Sequence, residues 1–100
     1  MPNVKLETET LTSIAQAIVT QAASDYRSVI SKRNDAMQRV TNDAVSEARR
    51  IVAKGYVTQY NNELDRIERF FDSPYGCELC LGLNDVILEK LQAERAILPT

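Results

Sequence analysis

The sequence predicts an all-α protein: a small bundle of four to five helices, one or two of them long, that associates as a homodimer. Three observations support this fold class. Apolar residues recur at three- and four-residue spacing over most of the chain, which is the period of an α-helix face. No segment shows the alternation of apolar and polar residues that is typical of strands. The usual helix breakers are missing between Pro2 and Gly55.

The length and charge of the chain set limits on its function. At 100 residues it is predicted to form one domain, which buries only about two thirds of its unfolded surface and gains stability from self-association. A net charge of −2 is typical neither of a basic nucleic-acid-binding protein nor of a densely acidic nucleic-acid mimic. The charge is uneven, because residues 31–54 carry six basic and three acidic residues.

Five helices are predicted after a flexible N-terminus at residues 1–9. Their ranges are 10–31, 35–54, 57–72, 74–81 and 84–97. The first helix carries a long apolar stripe, made of Leu11, Ile14, Ala15, Ile18, Ala22, Tyr26, Val29 and Ile30. The second, capped by Asp35, carries a narrower, alanine-rich stripe that suits close helix packing, including a dimer seam: Met37, Val40, Ala44, Ala48, Ile51 and Val52. A single continuous helix over 10–54 is the alternative.

The boundaries of the later helices follow from glycine and proline. Gly55 costs a helix interior about 1 kcal/mol relative to alanine, which predicts a break before the third helix. That helix ends in the pair Phe70 and Phe71, the main expected core residues. Ser73 and Pro74 are predicted as the N-cap and first residue of the short fourth helix, and a glycine at position 82 as its end.

Cys77 and Cys80 form a C-x-x-C motif. A tetrahedral zinc needs four ligands, and the chain has no histidine and no second cysteine pair, so no metal site within one chain is expected. A zinc site shared by two protomers and a redox dithiol are the alternatives, although the redox motif normally accompanies a βαβ unit. We predict instead that both cysteines are small buried residues on one helix face.

No enzymatic activity and no cofactor are expected, since histidine is absent and the glycines stand singly. Neither a signal peptide nor an apolar run of about 20 residues occurs, which predicts a cytoplasmic protein that does not bind membranes. Function is therefore expected through contact with another macromolecule. The candidate partner-binding residues are Asp25 and Arg27, which flank the core residue Tyr26, and the basic residues Arg39, Arg49 and Arg50.

The segment IERFFDSPYG, residues 67–76, resembles a family of small proteins encoded by phages and prophages of Firmicutes. In that family an I-E-x-F-F-x-S-x-aromatic segment precedes a leucine-rich turn and a terminal L-I-x-x-L helix. The matching residues are Phe70, Phe71, Ser73, Tyr75, Leu79, Leu83, Ile87, Leu88 and Leu91, with an upstream match over residues 22–27. About half of the chain is covered; residues 32–60 match less well, and Asn84-Asp85 replaces an acidic-glycine turn.

The resemblance implies a phage origin and no particular chemistry. Small phage accessory proteins of this kind often act by binding host proteins. By analogy, the resemblance implies a protein-interaction module in the cytoplasm of an infected or lysogenic bacterium, which inhibits a host antiviral protein such as a CRISPR effector. The alternatives are a small DNA-associated or regulatory protein that uses the basic second helix, and a virion assembly component.

Overall fold

A computed structural model describes residues 4–99, with side chains from residue 11 onward, and contains four helices and no strand within that range. The helices are α1 (Val4–Thr41), α2 (Glu47–Asp72), α3 (Pro74–Leu79) and α4 (Asn84–Ala96). The first two form a long antiparallel hairpin, against which α3 and α4 pack at the end remote from its turn. The all-α class is confirmed, and the folded chain measures 67 × 22 × 20 Å.

The turn of the hairpin lies at residues 42–46, inside a stretch that the sequence pattern predicts to be helical. Asn42 Oδ1 accepts a hydrogen bond of 2.9 Å from the backbone N–H of Ala44, which closes an Asx-type turn. Ser46 is the N-cap of α2, since its hydroxyl accepts from the backbone N–H of Arg49 at 3.4 Å. The predicted separate helices 10–31, 35–54 and 57–72 are therefore wrong, as is a single helix over 10–54.

The predicted break at residues 32–34 is absent because tertiary contacts hold this polar stretch inside α1. Arg33 is buried, and its Nη2 donates to the carbonyl oxygen of Arg95 in α4 at 2.7 Å and to Asn34 Oδ1 at 2.9 Å. Burial, and next the positive charge of Arg95, lower the pKa of Arg33. The predicted cap Asp35 is an exposed residue inside the helix.

Gly55 does not break α2. It is exposed, and a Cβ added there would meet no atom within 4 Å. Gly55 therefore destabilises α2 only by the intrinsic helix propensity of glycine, about 1 kcal/mol relative to alanine. The packing of the 26-residue helix outweighs this amount. At the other boundary, α1 begins at Val4, so the segment 1–9 predicted as flexible is helical from that residue; residues 1–3 lie outside the described residues.

The core lies where α3 and α4 pack on the hairpin. The buried cluster consists of Tyr26, Val29, Ile30, Leu64, Phe71, Cys80 and Leu91. Partly buried Tyr60, Ile67 and Phe70 complete the α2 face, as their spacing predicts. The predicted alanine-rich stripe from Met37 to Val52 does not form one face, because the turn divides it and its second half is exposed.

The short helix α3 begins at the predicted residues and ends two residues early. Ser73 caps it by accepting from the backbone N–H of Gly76 at 3.0 Å, and Pro74 is its first residue. It ends at Leu79 in a Schellman motif, in which Gly82 N–H donates to the carbonyl of Cys77 at 2.9 Å and Leu81 N–H to the carbonyl of Glu78 at 3.1 Å. The last helix, α4, ends at Ala96, one residue before the predicted end.

Leu81 occupies the position of this motif that normally holds glycine, with φ of +54°. Its side chain is 78% exposed, so replacement by glycine removes backbone strain and little packing. We expect Leu81→Gly to raise the free energy of unfolding by about 1 kcal/mol. Urea unfolding followed by circular dichroism measures the change, at a protein concentration low enough that every variant is monomeric, so that association does not contribute. Leu83→Gly is the matched control, because Leu83 has φ of −93° and glycine there should destabilise. Equal effects of the two substitutions would contradict the strain at Leu81.

Candidate partner-binding surface

The five candidate partner-binding residues lie in two separate places. Asp25 and Arg27 lie on α1 beside the core, whereas Arg39, Arg49 and Arg50 flank the hairpin turn. Asp25 accepts a hydrogen bond of 2.7 Å from Gln21 Nε2. Arg27 Nε lies 3.0 Å from Glu94 Oε2 and so connects α1 to α4. Asp25 and Arg27 therefore form contacts within the chain. The other three residues, all arginines, lie near one another beside the hairpin turn.

Arg39 and Arg49 line a groove between α1 and α2 beside the turn, which we call the turn-end groove. Its volume is about 520 Å³. It is lined by Arg39, Val45, Ala48, Arg49, Val52, Ala53 and Tyr56. Ala53 is buried, while Val52 and Tyr56 are exposed. The groove is therefore an apolar depression with a guanidinium group contributed by each of the two long helices.

A smaller pocket of about 310 Å³ adjoins the turn-end groove, and Arg39 and Tyr56 line both. Its other lining residues include Lys32, Asp35 and Tyr60. The Tyr56 and Tyr60 rings are stacked, with centroids 6.0 Å apart and planes inclined by 16°. The stacked tyrosine pair thus lines this pocket together with a third basic residue, Lys32.

The three arginines near the turn differ in their partners. Arg50 Nη2 lies 3.6 Å from Asp43 Oδ1, and its buried Nε has no hydrogen-bond partner among the described residues. Neither Arg39 nor Arg49 forms a side-chain salt bridge within residues 11–99, and both are exposed. These two guanidinium groups are therefore available to an external anion, whereas Arg50 interacts with the turn.

Sequence reasoning identified the arginines by charge but missed the apolar and aromatic residues between them. Tyr56 and Tyr60 stand four residues apart, a spacing that places them on one helix face. That signal was present in the sequence. Their position next to Arg39 was not, because it depends on where the chain turns.

The strongest electrostatic cluster lies away from the groove, in the contact between α1, α2 and α4. The Tyr26 hydroxyl donates to Glu68 Oε2 at 3.0 Å, Gln92 Nε2 donates to Glu68 Oε1 at 2.8 Å, and Arg95 Nη1 donates to Asp65 Oδ1 at 2.8 Å and also to Glu68. Burial, followed by the hydrogen bond to Glu68, raises the pKa of Tyr26 to about 12. Burial alone would lower the pKa of Arg95, but its two carboxylate partners raise it. These contacts connect α1 and α4 to α2.

The two cysteines have different environments. Cys80 is buried in the core cluster, but Cys77 is exposed, so the prediction that both are buried is wrong for Cys77. Burial, and next the electrostatic interaction with Cys77, raise the pKa of Cys80, which disfavours its thiolate. Within residues 11–99, no group of three or more His, Cys, Asp or Glu side chains is placed to hold a metal ion.

Comparison of the chain with protein-family models, with curated proteins and with solved structures finds no match. The resemblance to phage proteins therefore stays a prediction. Over the part of the chain that is described, no helix is both long and apolar enough to span a bilayer. The function is accordingly inferred from the geometry and charge of the surface.

Proposed function

We propose that this protein acts by contact and not by catalysis, as a protein-interaction module that binds an acidic surface of a partner protein through the turn-end groove. The observation that supports this proposal is the pair of exposed, unpaired guanidinium groups of Arg39 and Arg49 on either side of an apolar depression. Arginine and aromatic residues are enriched in protein–protein interfaces and carry much of the binding energy there.

The groove suits an amphipathic acidic segment of a partner. A guanidinium group donates two parallel hydrogen bonds to one carboxylate, so Arg39 and Arg49 are each able to orient an acidic side chain. An apolar side chain of the same segment would pack between Val52 and Tyr56, whose exposed surface it would remove from water. Small residues at positions 48 and 53 allow a close approach.

A protein partner is favoured over nucleic acid by the carboxylates around the groove. Asp35 lines the adjoining pocket, and the exposed Asp43 stands in the turn. Tight binding to nucleic acid requires several phosphate contacts in a row, and these carboxylates would repel a continuous phosphate backbone. A small acidic cluster on a protein is able to contact the two arginines without extending over Asp35 and Asp43, and so avoids this repulsion.

A narrower proposal concerns the identity of the partner. The resemblance to phage proteins supports a host antiviral protein, such as a CRISPR effector, as the target in the cytoplasm of an infected or lysogenic bacterium. Binding of the turn-end groove to an acidic surface of that protein would then inhibit it by occupying the surface.

Reversing both groove charges is expected to abolish binding. Tagged wild-type protein should capture one protein from a bacterial host lysate at low and at moderate salt, and Arg39→Glu/Arg49→Glu should not. With the purified partner, we expect about a 100-fold weaker affinity for that variant, because two attractive contacts become repulsive. Arg66→Glu/Lys90→Glu is the matched control, since it makes the same charge change at exposed residues outside the groove.

The other outcomes of this experiment are equally informative. Capture of the same protein by the groove variant would exclude the turn-end groove as the binding site. Nucleic acid retained at low salt and lost at moderate salt, without a protein, would favour the DNA-associated alternative. Large ordered assemblies of the protein alone would favour a virion component. Circular dichroism of each variant verifies that it is folded.

A further inference from the structure

The N-terminal part of α1 extends beyond the core as a helical arm, residues 4–18. Among the described α1 side chains, from residue 11 onward, Val19 is the first that packs against the core cluster, although the helix begins at Val4. At 1.5 Å per residue the arm is roughly 22 Å long. Leu11 and Ile14 are 68% and 52% exposed. Because most of the stability of a helix in a protein comes from packing of its apolar face, these side chains leave that contribution unused within one chain.

The C-terminal half of the arm has the composition of an interface, whereas its N-terminal half contains Lys5, Glu7 and Glu9. No charged residue occurs from Thr10 to the end of the arm or on to residue 24, whereas exposed helix surfaces normally carry charges of both signs. Depletion of charge is the compositional mark of an interface centre. The apolar stripe is continuous with the core-facing stripe of α1, because Leu11, Ala15 and Ile18 precede Ala22 and Tyr26 at helical spacing.

A second exposed apolar surface lies at the same end of the molecule, at the corner between α3 and α4. It consists of Leu81, Leu83 and Val86, all more than half exposed. The corner is held at the C-terminal end of α2, because Asn84 Nδ2 donates to the carbonyl oxygen of Phe71 at 2.9 Å. Leu81 presents its side chain to solvent from a left-handed backbone conformation. Backbone strain clusters at functional sites, which makes Leu81 a candidate contact residue.

We propose that the arm and the α3–α4 corner form a two-fold interface with a second copy of this chain. The two arms pair antiparallel, and each arm covers the corner of the other copy. Under two-fold symmetry the arm of each copy packs on the α3–α4 corner of the other copy. Both apolar surfaces of both molecules are then buried at the same time. The large exposed side chains each offer on the order of 100 Å², and with the small residues between them they reach roughly the 800 Å² per partner of a standard interface.

This interface does not depend on the proposed function. The arm and the hairpin turn lie at opposite ends of α1, so the turn-end grooves of a dimer built in this way lie at its two far ends. Both grooves stay open to a partner. A variant that does not bind the partner should therefore still form the dimer, and a monomeric variant should still have an intact turn-end groove.

Sedimentation equilibrium and light scattering on the full chain test the proposal. We expect a wild-type dimer, and a dissociation constant at least about tenfold higher for Ile14→Glu and for Leu81→Glu, because each places a carboxylate in an apolar contact. Ile51→Glu is the matched control, since Ile51 is 63% exposed near the hairpin turn and its replacement should leave the dimer unchanged. Neither Ile14 nor Leu81 belongs to the core, so both variants are expected to keep the wild-type helix content.

Four results would overturn the proposal. A wild-type protein that is monomeric up to about 100 μM would exclude a specific dimer of useful affinity. A dimer that withstands both Ile14→Glu and Leu81→Glu would place the interface elsewhere, as would a dimer broken by Ile51→Glu. Capture of a different protein by the arm of a monomeric wild type would show that the occupant is not a second copy.

Leu81→Gly separates the two roles of Leu81. In the Ile14→Glu background, where the chain is monomeric, glycine should increase resistance to urea because it relieves the backbone. In the wild-type background the same substitution should raise the dimer dissociation constant because it removes the exposed side chain. If Leu81→Gly stabilised the monomer and also tightened the dimer, or weakened both, this side chain would have no role in the interface.

Discussion

Replacing Phe71 with alanine is expected to lower the free energy of unfolding by about 3–5 kcal/mol. The Phe71 side chain is fully buried in the core cluster. Its ring contacts Phe70 edge to face, with centroids 5.2 Å apart and planes inclined by 68°. Truncation removes the apolar surface that α2 contributes where α3 and α4 pack on it, and it leaves a cavity. Because domains of this size have a total stability of only about 5–15 kcal/mol, urea unfolding should shift to much lower concentration.

Two further substitutions determine whether the effect comes from burial. Phe70 is only partly buried, so Phe70→Ala should cost less than Phe71→Ala. Ile51→Ala, at an exposed apolar position, should change stability by no more than about 0.5 kcal/mol. If Phe71→Ala were as stable as Ile51→Ala, the assignment of the core would be wrong.

Alkaline pH is expected to destabilise the fold through Tyr26. In the unfolded chain a tyrosine hydroxyl ionises near pH 10. In the folded chain, burial and then the hydrogen bond to Glu68 raise the pKa of Tyr26 to about 12. The folded state thus favours the neutral phenol, whose contribution is fully present below pH 10 and is lost as the pH rises through 12. Urea unfolding at pH 9 and pH 12 should show a loss of about 2 kcal/mol from this group.

The contribution of Tyr26 is isolated by comparing variants. Tyr26→Phe keeps the buried ring but removes the hydrogen bond to Glu68, which should cost about 1 kcal/mol at neutral pH. Between pH 9 and pH 12, the free energy of unfolding of Tyr26→Phe should fall by less than that of the wild type, and the difference is the contribution of Tyr26. Tyr56→Phe removes a hydroxyl from the exposed tyrosine of the turn-end groove and should retain the full alkaline loss. Equal losses in wild type and Tyr26→Phe would refute the raised pKa.

Most of the helical content could be predicted from local patterns, but the hairpin turn could not. Proline and glycine are the strongest local signs of a break, and the turn at residues 42–46 contains neither. It uses Asn42 and Ser46, whose side chains satisfy backbone N–H groups at the turn and at the start of α2. Asparagine and serine are also common inside helices, and only the packing of α1 on α2 selects this pair over the polar residues at 31–34.

The candidate surface was predictable in part. The excess of basic residues in the middle of the chain indicated Arg39, Arg49 and Arg50, but the sequence predicts all three on one helix, residues 35–54. The turn instead places Arg39 on α1 opposite Arg49 on α2, and it gives Arg50 a carboxylate partner in Asp43. The groove between the helices therefore arises from the turn and has no signature in either segment alone.

Local sequence patterns are sufficient to predict the helical class, the cap and start of α3 at Ser73 and Pro74, and the apolar residues of the core. These features depend on periodicity and capping, which act within a few residues. The position of the hairpin turn, the placement of Arg39 and Arg49 in one groove and the burial of Arg33 arise instead from tertiary packing. These depend on contacts between distant parts of the chain, such as the hydrogen bond from Arg33 to the carbonyl of Arg95, 62 residues away.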